Sequence, residues 1–299
     1  MLKIGNTFQG IPTSNLFQGT IYFVRQVTSA SRHLACLNLV SLEMQDVFEF
    51  GDCPAPTICS ISPDGKTFVA GIPVRDDIYG LYRIDLPTGE WEVFHEHKDI
   101  LNPHVQIEPS EGEDILVQWN RGGRKDEHGN IINLVGEEGA SLYVIDKNGG
   151  NIRYLPVGKP HTAGVTGHEC WIGNTKSILL TTGDPAPAGR LFTVSPGDEK
   201  AKLICRGFGF NHISASVDGR FFAGDWGTRV YIGSFKTGHV RYLCDTRGRV
   251  GGPQYSHPHP YMTPGNKYVI FNSNETGVAQ VYSAEIPDGF LDSLESVME

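Results

Sequence analysis

Histidine is the residue type here whose number and placement suggest chemistry. The chain holds 11 of them, and His104, His168, His212 and His257 each stand six to eight residues before a turn position, at Gly112, Asn174, Gly219 and Gly265. His259 follows His257 by two residues, and Gln254 precedes His257 by three. A single histidine at the start of a strand is ordinarily a hydrogen-bonded structural residue. The same phase in four places is not a packing requirement, and it predicts side chains that converge on one site. Imidazoles with one amide oxygen and no thiolate form a donor set for a borderline divalent ion such as Mn, Zn, Fe, Co or Ni. They do not form the oxygen cage that Ca takes, nor the thiolate-rich closed site of a structural zinc. So few protein ligands leave positions for water or substrate, which favours catalysis.

The elements that must position these residues are short strands. Gly 36 and Pro 18 in 299 residues imply many turns, and helical periodicity is almost absent outside a short helix expected within Gly289 to Glu299. One unit runs from Ile58 through the Pro63-Asp64-Gly65 turn, a second strand, a third at Leu81 to Leu86 and a fourth at Trp91 to Phe94. The order returns at Val105 to Leu155, Glu169 to Cys205, Ile213 to Cys244 and Pro258 to Glu285, with a degenerate copy at Thr7 to Phe50 and an insertion at Gly122 to Gly139. Four strands per unit of about 40–50 residues predict an all-β fold, a β-propeller of four-stranded blades with six repeats visible. One such sheet cannot bury both faces alone, whereas stacked neighbours can. The whole of 1–299 reads as a single propeller domain. Its innermost strands would line the axis, so the phased histidines would meet at one mouth, and alternation along a strand would turn His257 and His259 to the same side.

Bulk properties narrow the function classes. A formal net charge of −9 gives no basic footprint for nucleic acid. An acidic sugar would need local positive charge, from arginines or a metal. Neither a leader with an apolar core nor an apolar run of about 18 residues is visible, so no membrane partner is expected. The cysteines Cys36, Cys53, Cys59, Cys170, Cys205 and Cys244 are scattered, with no CxxC pair. They read as reduced, mostly buried thiols, which fits a cytoplasmic location. The oligomeric state is not legible.

Three segments resemble the oligogalacturonate lyase family. Gln254-Tyr255-Ser256-His257-Pro258-His259-Pro260, running on to Val269 through Tyr282, is similar to the final blade of that family. Gly167-His168-Glu169-Cys170-Trp171 resembles its catalytic-histidine blade, and Asn211-His212-Ile213-Ser214 with Asp218 through Asp225 resembles the next. Fainter similarity reaches back to about Asn6. The resemblance implies a manganese-type site formed by His212, Gln254, His257 and His259. It implies His168 as the general base, and β-elimination on short 4-linked galacturonides, an acidic oligosaccharide substrate. The chemistry suits the residues. The C5 proton is adjacent to a carboxylate, a divalent ion offsets the charge that its removal develops, and imidazole accepts a proton near neutral pH.

Two departures from the family pattern stand out. The family's arginine in the third strand of the preceding blade is replaced by the stretch Ala140-Ser141-Leu142-Tyr143, and Arg121 or Arg124 on the insertion is the expected substitute. The family has seven blades. His104 and Gln106, in phase with the site, are further expected substrate contacts. His95-Glu96-His97 reads as a solvated pair on an outer strand. The alternative is a non-catalytic TolB- or WD40-like propeller that binds a sugar or a protein partner.

Overall fold

The computed structural model describes residues 8–15, 19–29, 31–56, 58–75, 77–128, 130–184, 190–249 and 256–296. It is all-β, with antiparallel meander sheets following one another along the chain as propeller blades. The chain divides into two compact units, Met1–Tyr154 and Leu155–Glu299.

The first unit carries three four-stranded sheets. Blade one contains β1 (Phe8–Asn15), β2 (Thr20–Gln26), β3 (Arg32–Asn38) and β4 (Met44–Glu49). Blade two contains β5 (Cys59–Ile61), β6 (Thr67–Arg75), β7 (Ile78–Asp85) and β8 (Glu90–His97). Blade three contains β9 (Gln106–Ile107) and β10 (Asp114–Trp119), then an inserted hairpin of β11 (Arg124–Lys125) and β12 (Ile131–Asn133), then β13 (Ser141–Asp146) and β14 (Arg153–Tyr154).

The second unit repeats the plan. Blade four holds β15 (Cys170–Trp171), β16 (Ile178–Thr181), β17 (Leu191–Val194) and β18 (Lys202–Cys205). Blade five holds β19 (Ile213–Ala215), β20 (Phe221–Trp226), β21 (Arg229–Ser234) and β22 (Val240–Asp245). Blade six holds β23 (Tyr261–Met262), β24 (Tyr268–Ser273) and β25 (Gln280–Glu285), followed by α1 (Phe290–Glu295). Among the described residues this last sheet has three strands rather than the expected four.

Middle strands are apolar without alternation because both of their faces are covered. In β6, Phe68 and Ala70 pack towards blade one while Val69 packs towards blade three. In β20, Phe221 and Ala223 join Met262 and Val269 of blade six, while Phe222 joins Leu179 and Leu191 of blade four. Successive side chains of a strand point to opposite faces, so each strand feeds two cores. Helix α1 seals the blade five–six core with Phe290 and Leu294.

A polar turn fixes the register of the first hairpin in blades two and five. The Ser216 hydroxyl donates to Asp218 Oδ1 at 2.6 Å and accepts from the Phe221 N–H at 2.9 Å. Ser62, Asp64 and Thr67 make the same pair of bonds at 2.6 and 2.9 Å. Gly65 and Gly219 close these turns at φ 72° and 70°, a conformation glycine adopts without steric cost. Among the described residues no helix is long and apolar enough to cross a membrane.

Candidate metal centre

The first two strands of blade five place the central histidine. Ile213 pairs with Gly224, so one further step of the ladder sets His212 opposite Asp225. The backbone confirms that step: Asp225 N–H donates to His212 C=O at 3.1 Å, and Asn211 N–H donates to Asp225 C=O at 2.9 Å. Asp225 Oδ1 accepts both the His212 backbone N–H at 3.1 Å and its Nδ1–H at 2.8 Å. His212 is buried and Asp225 is 1% exposed. With Nδ1 committed to Asp225, Nε2 is the nitrogen His212 can present to a ligand.

Blade six brings in two more imidazoles. The segment that carries them precedes β23 and is pinned at both flanks. Asn272 N–H donates to Pro258 C=O at 2.8 Å, and the Ser214 hydroxyl of blade five donates to Pro260 C=O at 2.8 Å. His259, between these prolines, has φ 42°. The left-handed region is strained for a residue with a side chain, and such strain concentrates at functional sites. Thus the expected alternation along a strand does not explain how His257 and His259 come together. They lie before the strand, and the left-handed turn directs the second ring.

The result is a cluster around His212. One nitrogen from each of His212, His257 and His259 lies within 4.8 Å of the others. His212 Nε2 and His257 Nδ1 stand 3.4 Å apart. Two nitrogens on adjacent positions of one ion, at bonds of about 2.1 Å, would be separated by about 3 Å, so the donor set fits a shared cation. His168, two residues before β15, sets its ring edge-on to His212 with centroids 4.5 Å apart, and 6.3 Å from His259. A cavity of about 120 Å³ opens beside His212 and His257, and Asp225, Thr246 and Arg249 also line it. The nearby thiol of Cys170 is pushed up to about 12 by burial, so it is no thiolate ligand at neutral pH.

The other expected site residues are placed as follows. Gln254 lies outside the described residues. His104, Gln106, Arg121 and Arg124 belong to the first unit. Asn102 donates its amide to His104 Nε2 at 2.9 Å, and Gln106 opens β9. Arg121 donates to the carbonyls of Gly139 (3.0 Å) and Glu138 (2.8 Å) and lies over Trp119, so it ties down the base of the inserted hairpin. Arg124 is exposed on β11. The pair His95 and His97 is not solvated as expected. His95 is buried, its Nε2 2.8 Å from the Tyr143 hydroxyl, because β13 of blade three covers that part of β8.

Sequence reasoning assigned no role to Asp225 or Ser214. Asp225 was within reach of it. The Asp218-Gly219 turn sets the hairpin register, and counting back along it pairs His212 with Asp225. No comparable signal marks the Ser214–Pro260 bond, which joins two blades.

No protein-family profile matches the chain. The oligogalacturonide lyase of Pectobacterium atrosepticum is 24% identical over 333 aligned positions, covering 96% of this chain and 79% of that protein. Among solved structures, an oligogalacturonate lyase from Vibrio parahaemolyticus superposes with a TM-score of 0.72 at 20% identity, over 95% of this chain and 78% of that one. An oligogalacturonate lyase in complex with manganese gives 0.69 at 20% identity, over 91% and 75%.

Proposed function

We propose, from the premise that the chain belongs to the oligogalacturonate lyase family, that it is a metal-dependent carbon–oxygen lyase which cleaves short 4-linked galacturonides by β-elimination. The observation that carries the proposal is the gathering of His168, His257 and His259 around the buried His212. His212, His257 and His259, with Gln254, would hold a divalent ion, manganese by likeness to the solved relative. Bound there, such an ion supplies Lewis acidity beside the substrate carboxylate.

His168 is the general base in this reading. Its ring stands edge-on to His212, and it is not among the three clustered donors of the described residues, so the metal and base roles fall to different imidazoles. It takes the C5 proton, the C5–H electron pair forms the C4–C5 double bond, and the C4–O4 bond breaks. O4 leaves with that bond's electrons and takes a proton from solvent. Imidazole is suited to the task near neutral pH. We also take residues 1–299 to form one propeller domain, since both units use the same blade and the same turn. None of the six cysteines is in a disulfide, which suits the cytoplasm.

The test is an ultraviolet elimination assay on manganese-loaded protein with a panel of short galacturonides and other uronides. Wild type should generate the absorbance of the conjugated product. His168→Ala should lose about 10²–10⁴-fold in rate while binding manganese as wild type does. A flat wild-type trace across the panel, with metal bound, would overturn the lyase reading and favour a binding propeller.

A further inference from the structure

Asp225 is a buried carboxylate with an unusual set of partners. Both of the bonds described for it come from one residue, to one of its two oxygens: the His212 backbone N–H and the His212 Nδ1–H reach Oδ1. Among the described residues Oδ2 takes no hydrogen bond, and it is shut away from solvent. An ionised carboxylate taken out of water costs several kcal/mol unless charge is placed nearby to offset it. No lysine or arginine makes an ion pair with Asp225 among the described residues, and the sole partner in salt-bridge geometry is His212, at 2.8 Å. The charge of Asp225 therefore acts on whatever His212 Nε2 touches.

We propose that Asp225 is the positioning residue of the metal centre. It locks His212 in the Nδ1–H tautomer so that the Nε2 lone pair faces His257 and His259, and its negative charge, which among the described residues has no lysine or arginine in ion-pair contact, raises the affinity of that nitrogen for a dication. His212 is the natural member to be held in this way. It is the most buried of the three donors, and the other rings are arranged around it, with centroids 5.2 Å (His257) and 3.9 Å (His259) from its own. A carboxylate behind a ligating imidazole typically changes metal affinity by about 10–100-fold. The inference rests on the metal-site part of the function proposed above and not on the elimination reaction.

The test uses the full chain, with manganese as the probe, in wild type, Asp225→Asn and Asp225→Leu. Asn keeps an acceptor for Nδ1–H and loses the charge, whereas Leu loses both. Manganese affinity is read by calorimetry, and the His212 tautomer by nitrogen-15 NMR on metal-free, histidine-labelled protein. Wild type should show His212 protonated at Nδ1. D225N should keep that tautomer and bind manganese about 10–100-fold more weakly. D225L should shift the tautomer towards Nε2–H and bind more weakly still. If D225L fails to fold, D225N alone decides through its affinity. Manganese affinity within two-fold of wild type in the folded variants would overturn the inference and leave the metal site standing. No manganese uptake by wild type would overturn the metal site and this inference with it.

Discussion

Blades three and six, one in each unit, make the same backbone turn with different results. Pro103-His104 and Pro258-His259 each sit just before the first strand of their blade. The proline carbonyls accept from the second strand, from Gln118 N–H at 2.7 Å and Asn272 N–H at 2.8 Å, and the histidines are left-handed at φ 43° and 42°. What differs is the blade each turn meets. In blade five, His212 stands opposite Asp225. In blade two, Cys59 pairs with Ala70, so the equivalent step sets Ile58 opposite Gly71. Pro103 packs into the space over Gly71, and Ile58, Tyr79 and Leu101 line the same cavity of about 280 Å³. The scaffold supplies the left-handed histidine in both units. A polar pair on the neighbouring blade makes one of them part of a donor cluster, and an apolar pair leaves the other bonded to Asn102.

The sharpest way to break this comparison is to remove each left-handed histidine in turn. His259→Ala takes away one of three clustered donors and should weaken manganese binding by at least about 100-fold, since second-shell losses alone reach that figure. His104→Ala should leave manganese affinity within two-fold of wild type. Calorimetric titration of both variants checks this. Equal losses would mean that the two turns are chemically equivalent and that the neighbouring blade does not decide.

That pair of variants also marks how far the sequence could be read. The blades were legible because the Ser-x-Asp-Gly turns at Ser62 and Ser216 recur with their strand pattern, and local hydrogen bonds enforce them. The cluster was legible because histidines shared a phase of that repeat. The phase alone does not fix which histidine of blade six matches His104 of blade three. By its bonds Pro258 matches Pro103, so His104 corresponds to His259 rather than to His257. A left-handed residue between prolines has no signature in hydrophobic periodicity, so strand alternation does not describe the geometry of His257 and His259. The burial of His95 escaped for a different reason. It depends on Tyr143, 48 residues away on another blade, and spacing within one repeat says nothing about contacts between repeats.

A smaller effect tests the apolar half of the comparison. A Cβ at Gly71 would stand 2.6 Å from Pro103 Cγ, closer than packed carbons allow. Gly71→Ala should force Pro103 to move and cost about 1–3 kcal/mol, read as a Tm lowered by roughly 2–4 °C per kcal/mol. Manganese affinity should stay at the wild-type value, because the strain falls on blades two and three. An unchanged Tm would show that the proline is not held against Gly71, and that the blade two surface is freer than the comparison requires.

The smallest expected effect concerns the buried imidazole of the first unit. Burial, followed by the neighbouring charge of His97, lowers the pKa of His95 below its usual 6.5, outweighing the opposing hydrogen bond at Gly149. The neutral form is therefore the one the fold accommodates, with Nε2 against the Tyr143 hydroxyl. The sign follows from linkage. Below pH about 6.5 the unfolded chain takes up a proton at this residue before the folded chain does, so stability is complete above that pH and falls as pH drops towards the folded value. His95→Gln keeps a polar partner for Tyr143 and removes the titration. Metal-stripped wild type should lose more Tm between pH 7 and pH 5 than metal-stripped H95Q, by a few degrees at most, in paired thermal melts. Stripping the metal silences proton competition at the cluster in the second unit, so the difference between the two proteins isolates blade two. Parallel pH profiles would mean that His95 is charged or solvent-linked in the folded chain, and that the first unit's histidines are not the structural residues this comparison makes them.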